Sequence, residues 1–139
     1  MSAVNTFLSL NKQLSPDPSP LIAIVDDDDS LRGSARMLVK SFGFRAEAFA
    51  SAQEILAWPQ LDQAACLVLD VFMPGMNGLE LQRRLRQTYP RIPIIFLTAH
   101  AKEDEERQAM REGAVAMLRK PVPDCVLFDT LRRALDLKE

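Results

Sequence analysis

The chain has 139 residues, enough for one domain that buries a core without disulfides or a structural metal. Its composition, 47% hydrophobic and 26% charged, is that of an ordinary globular domain; with a formal net charge of -2 and no Lys/Arg block it lacks the footprint of a protein that grips a phosphate backbone, so direct nucleic-acid binding is disfavoured. No apolar run approaches the roughly 18 residues of a membrane span and no export signal opens the chain, so a soluble, cytoplasmic protein is expected.

Residues 1–20 end in "LSPDPSP", where Pro16, Pro18 and Pro20 forbid a helix and favour an extended, solvated segment. A flexible extension over 1–20 and a folded domain over 21–139 follow. Val4, Phe7, Leu8 and Leu14 offer a short amphipathic turn able to dock somewhere; a frayed terminus is the simpler reading. "LIAIV" is an apolar strand, and after four aspartates a helical stripe of Leu31, Ala35, Leu38, Val39 and Phe42 stops at Gly43. "FRAEAF" reads as a second strand. "SAQEILAW" opens with Ser51 and Glu54 in capping-box spacing and ends at Pro59. "ACLVLD" is a continuous apolar run, as for a strand buried on both faces of a parallel sheet. A "PGMNG" turn leads to a helix carrying Leu81 and Leu85, "IPIIFLT" makes the fourth strand, and "KEDEERQAMREG" a helix with a solvated charged face. "AVAML" is the fifth strand, and "LFDTLRRAL" the last helix. Cys66 and Cys125 sit in apolar contexts with neither CxxC spacing nor neighbouring histidines, which predicts reduced, buried thiols.

Strands alternating with helices on short connections predict an α/β fold: a doubly wound, five-stranded parallel sheet with five helices on its two faces. Ligands of such sheets bind beyond the carboxyl ends of the strands, at the switch in strand order. Asp26 to Asp29 follow strand one, Asp70 ends strand three, Thr98 ends strand four, and Lys120 with Pro121 follows strand five. Four consecutive aspartates exceed what helix capping requires, and clustered carboxylates either shift protonation or capture a cation. Asp26 and Asp27 are candidate ligands of Mg²⁺, Asp70 a carboxylate nucleophile, and Lys120 and the Thr98 hydroxyl candidate partners for phosphoryl oxygens.

The series "IVDDD", "LVLDVFMPGMNG", "IIFLTAH" and "GAVAMLRKP" strongly resembles the receiver domain of two-component response regulators, especially receivers that precede LuxR-type DNA-binding domains, over roughly residues 21 to 137. The resemblance implies the flavodoxin-like fold of the chemotaxis receivers and a signalling protein rather than an enzyme. It makes Asp70 the phosphoacceptor for a sensor histidine kinase, Asp26 and Asp27 the acidic pair with Asp27 a direct Mg²⁺ ligand, and the Phe72 carbonyl a further ligand. Thr98 becomes the switch hydroxyl and Lys120 the phosphate-pairing cation, with a cis peptide between Lys120 and Pro121. Asp28 and Asp29 are left to capping or solvent. A phosphorylation-dependent homodimer through the face of helix four, strand five and helix five, and an output on transcription, are further implications.

Two positions depart from the family's pattern. Met117 stands where receivers usually carry Tyr or Phe, three residues before the lysine, and acts either on coupling between pocket and surface or as a flexible apolar plug. Phe72, two residues beyond Asp70, cannot orient an attacking water. His100, the single histidine, is expected in a loop at the pocket mouth and not as a metal ligand. Two other function classes compete. A Mg²⁺-dependent phosphatase of the haloacid-dehalogenase kind also uses an aspartyl phosphate, but carries DxDxT on its first strand, and "DDDDSL" lacks the Thr. The intact set Asp26, Asp27, Asp70, Thr98 and Lys120 argues against a degenerate receiver used as a scaffold, while Met117 leaves that reading open.

Overall fold

Five strands join one parallel sheet: β1 (Leu21–Val25), β2 (Arg45–Phe49), β3 (Cys66–Leu69), β4 (Ile94–Thr98) and β5 (Ala116–Arg119), in the spatial order β2-β1-β3-β4-β5. Between and after them run α1 (Asp29–Ser41), α2 (Ala52–Leu56), α3 (Gly78–Thr88), α4 (Glu103–Arg111) and α5 (Asp124–Lys138). The computed structural model describes residues 18–138; the expectations for the amphipathic and proline-rich stretch before Pro18 lie outside the described residues. Among the described residues no helix is long and apolar enough to cross a membrane.

Side chains alternate across the sheet, so each apolar strand feeds two cores. Ala23, Val25, Leu67, Leu69 and Phe96 pack on one side with Ile55, Leu81 and Leu85. On the other side Ile22, Ile24, Val68 and Ile95 pack with Val39, Leu127 and Leu131. That two-sided burial is why β1, β3 and β4 read as unbroken apolar runs. Each fully buried Leu or Ile contributes roughly 1.5–3 kcal/mol. The chain leaves β1 for β2 on one flank and returns to β3 on the other, so the strand order reverses between β1 and β3. The crevice beyond their carboxyl ends lies between Asp26 and Asp70.

Three local expectations change. Ser51 does cap α2, its hydroxyl accepting from Glu54 N at 3.1 Å, but that helix is only five residues long. Pro59 has no N–H to continue it, and the chain takes a 3-10 turn at Leu61–Gln63 instead. Helix α5 begins three residues before "LFDTLRRAL", with the Pro123 carbonyl accepting from Val126 N and Leu127 N at 3.0 and 3.2 Å. Cys66 is buried as expected, but Cys125 is exposed. Its apolar neighbours misled: the inward stripe of α5 is Leu127, Thr130, Leu131 and Ala134, at spacings of three and four, and position 125 lies off it.

Candidate functional site

The four aspartates after β1 divide their work. Asp26 is buried, 5% exposed, while Asp27 is exposed. Asp28 is the N-cap of α1, its carboxylate accepting from Leu31 N at 2.9 Å, and Asp29 pairs with Arg32. Capping and solvent therefore account for Asp28 and Asp29, as expected. Arg32, which the sequence reading passed over, also donates through Nη1 to the Asp26 carbonyl at 2.9 Å. Asp28 N donates to Asp26 Oδ1 at 2.9 Å, leaving Oδ2 for a cation.

Asp70 follows β3, anchored by its N–H to the Val25 carbonyl at 3.0 Å. Phe72 N donates to Asp70 Oδ1 at 3.1 Å, and the second oxygen faces Lys120. The Phe72 ring itself is 47% exposed. The following loop returns at Gly78, where Asn77 caps α3 in a reciprocal capping box with Glu80. A Cβ at Gly78 would stand 2.2 Å from the Asp70 carbonyl oxygen, so only glycine lets the loop pass so close beneath Asp70. This residue too was missed; its place at the first position of α3 was the available signal.

Lys120 is placed by β5 and by its own N–H, which donates to the Thr98 carbonyl at 2.8 Å; the Lys120–Pro121 peptide is cis. The ammonium reaches Asp26 Oδ2 at 2.8 Å and Asp70 Oδ2 at 3.3 Å. Burial alone would lower its pKa. The hydrogen bond to Asp26 and the charges of Asp70 and Asp26 outweigh that and raise it above the ordinary lysine value. Thr98 is fully buried, and its hydroxyl donates to the His100 carbonyl at 3.2 Å rather than to the carboxylates. His100 itself is exposed in the loop after β4. Met117 lies beside Phe96 in the sheet register, half-buried against the core that Phe96 belongs to.

One oxygen from each of Asp26, Asp27 and Asp70 lies within 4.8 Å of the others. At that spacing two carboxylates repel by about 3 kcal/mol at an effective dielectric near 20. A single ammonium offsets part of this, and an oxygen-only donor set of this density suits a hard divalent cation. The donors present thus fit Mg²⁺. Three carboxylates with an ammonium between two of them are a donor set that can serve phosphoryl transfer.

The sequence pattern of the response regulator receiver domain matches residues 22–132. The chain is 40% identical over 116 residues to Nodulation protein W of Bradyrhizobium diazoefficiens, covering 84% of this chain and 51% of that protein. It is 37% identical over 128 residues to the response regulator protein TmoT of Ectopseudomonas mendocina, covering 92% and 58%. Among solved structures, response regulator StyR superimposes with a TM-score of 0.79 at 41% identity, covering 86% of this chain and 61% of that one. The chain spans a little over half the length of the two curated relatives.

Proposed function

Because this chain belongs to the response regulator receiver domain family, we propose that it is a phosphorylation switch in which Asp70 takes a phosphoryl group from the phosphohistidine of a sensor kinase. An Asp70 carboxylate oxygen attacks phosphorus, the nitrogen–phosphorus bond breaks, and the electron pair leaves with the kinase imidazole, giving an acyl phosphate. Asp26, Asp27 and Asp70, with the Phe72 carbonyl, would hold Mg²⁺, which would supply positive charge to the phosphoryl oxygens. Lys120, shared in the resting state by Asp26 and Asp70, transfers a hydrogen bond to the new phosphoryl group. Thr98 gives up the His100 carbonyl and turns its hydroxyl to the same group, pulling the loop that leads into α4.

The observation that carries this reading is the Lys120 ammonium between two carboxylates at the switch point of the sheet. Loop movement acts on the face of α4, β5 and α5, where a homodimer forms when Asp70 is phosphorylated, and the cytoplasm is where such a kinase partner is met. Relatives described as transcriptional regulatory proteins support an output on transcription. Borohydride reduction of the phosphorylated protein, followed by peptide mapping, tests the assignment. Conversion of residue 70 to homoserine is expected; modification at another aspartate would overturn it.

A further inference from the structure

Strand β5 leads into two consecutive cations with separate partners. Lys120 reaches Asp26 and Asp70, whereas Arg119, the last residue of the strand, turns to the loop and helix beside the site. Its Nη1 donates to the Ala101 carbonyl at 2.7 Å and its Nη2 to Glu106 Oε1 at 2.7 Å, so one planar guanidinium bridges the loop of residues 99–102 and the start of α4. The neighbouring loop carbonyl, that of His100, accepts from the Thr98 hydroxyl at 3.2 Å. Two consecutive carbonyls are thus held to the ends of β4 and β5. Thr98 and Arg119 are partners in the sheet register, and Lys120 N fixes that end of β5 by donating to the Thr98 carbonyl at 2.8 Å.

The far end of α4 is fastened independently. Gln82 Nε2 on α3 donates to the Ala109 carbonyl at 2.9 Å, and Arg86 pairs with Glu112 at 2.9 Å. At the near end the link to the sheet is Arg119. Met117, two residues earlier and therefore on the same face of β5, has no side-chain hydrogen-bond donor.

We propose that Arg119 is a latch on the resting form: it keeps the loop of residues 99–102 and the near end of α4 against β5, and lets go when Asp70 is phosphorylated. This rests on the reading of Asp70 and Thr98 above, in which the hydroxyl turns to the phosphoryl group and draws the loop with it. A hydrogen bond at 2.7 Å does not survive a displacement of about 1 Å, and β5 cannot follow the loop because it is tied to β4. Movement of the loop therefore costs the Arg119 contacts. Helix α4 then swings about its fastened far end, and the freed guanidinium joins the outer face of α4 and β5. A latch lowers the fraction of molecules in the activated form, so it weakens the apparent affinity for anything that stabilises that form.

Beryllofluoride titrated into the full chain with Mg²⁺, followed by the amide signals next to Asp70, tests this. Arg119→Met and Glu106→Gln change net charge in opposite directions, so attraction of the anionic mimic alone makes Arg119→Met bind more weakly and Glu106→Gln more tightly. Loss of the latch tightens both. Roughly three- to tenfold tighter binding is expected for Arg119→Met, the worth of a half-exposed ion pair and a charge-assisted hydrogen bond. Glu106→Gln leaves the Ala101 contact in place and gains less, and the double variant gains nothing beyond Arg119→Met. Both side chains are half-exposed, and unchanged signals from the core will show the variants to be folded. Equal or weaker binding by Arg119→Met would overturn the latch and leave the reading of Asp70 standing. No binding by the wild type would overturn that reading, and the latch with it.

Discussion

The Lys120 ammonium lies 2.8 Å from Asp26 Oδ2, a contact between residues 94 positions apart in the chain, with 15% and 8% of their side chains exposed. It ties the end of β5 to the end of β1 across the two strands between them. Lys120 thereby occupies, with one positive charge, the acidic cluster that a divalent cation would enter.

Lys120→Met should therefore bind Mg²⁺ more tightly. Like charges about 4 Å apart repel by roughly 1–4 kcal/mol between water and an effective dielectric of 20, so a gain of about tenfold is expected by titration calorimetry. Unchanged or weaker binding would show that the ammonium does not compete with the cation. The same pair has a pH signature. Because the folded pKa of Lys120 is raised above 10.5, its stabilisation is complete below that value and is lost as pH rises through the folded pKa. The urea-stability difference between wild type and Lys120→Met should be flat from neutral pH to about 10 and shrink above it; a difference that grows with alkaline pH would contradict the assignment.

Gly78→Ala tests the close approach beneath Asp70. A methyl group 2.2 Å from a carbonyl oxygen must displace backbone on one side or the other, and neither the sheet end nor the capped start of α3 gives easily. A loss of about 3 kcal/mol in urea unfolding is expected, the upper part of the range for overpacking substitutions. A stability within ~0.5 kcal/mol of wild type would mean that the loop has slack.

The contrast between what the sequence disclosed and what it hid has a physical basis. Apolar runs ending in Asp26, Asp70 and Thr98 were legible because a parallel sheet buried on both faces leaves an uninterrupted signature, and its chemistry gathers where the strands end. The roles of Arg32 and Gly78 were not, because each depends on the path of a helix or loop relative to a strand. The outward placement of Cys125 followed from the phase of α5, which the mixed apolar run "CVLF" did not reveal. The turn of the Thr98 hydroxyl toward His100 is a rotamer choice, and no spacing encodes it.

Phe72 is expected to slow hydrolysis of a phosphoryl group on Asp70. Its half-exposed ring follows Asp70 by two residues and offers no hydrogen bond to an attacking water. Phe72→Asn should lose its phosphoryl group faster, about tenfold for each ~1.4 kcal/mol of transition-state stabilisation gained. Following intact mass after removal of the donor gives the rates; an equal or slower loss in the variant would remove Phe72 from the explanation.

Self-association should follow activation. The outer surface of α4 and β5 presents Met110, 45% exposed, beside Arg107, Arg111 and Arg119. Light scattering should show a larger mass with a beryllofluoride mimic than without it, and Met110→Asp should suppress the increase. A mass unaffected by the mimic at high protein concentration would count against a dimer switch, with Met117 in place of an aromatic the first residue to examine.

The most direct test of the central claim is intact-protein mass spectrometry after incubation with acetyl phosphate, with Mg²⁺ or with a chelator, on wild type and Asp70→Asn. One phosphoryl group is expected on the wild type with Mg²⁺ and none with the chelator, because the carboxylate cluster within 4.8 Å otherwise repels an anionic donor. Asp70→Asn should remain unmodified under both conditions. Phosphorylation of Asp70→Asn at the wild-type rate would contradict the assignment of Asp70 as the nucleophile.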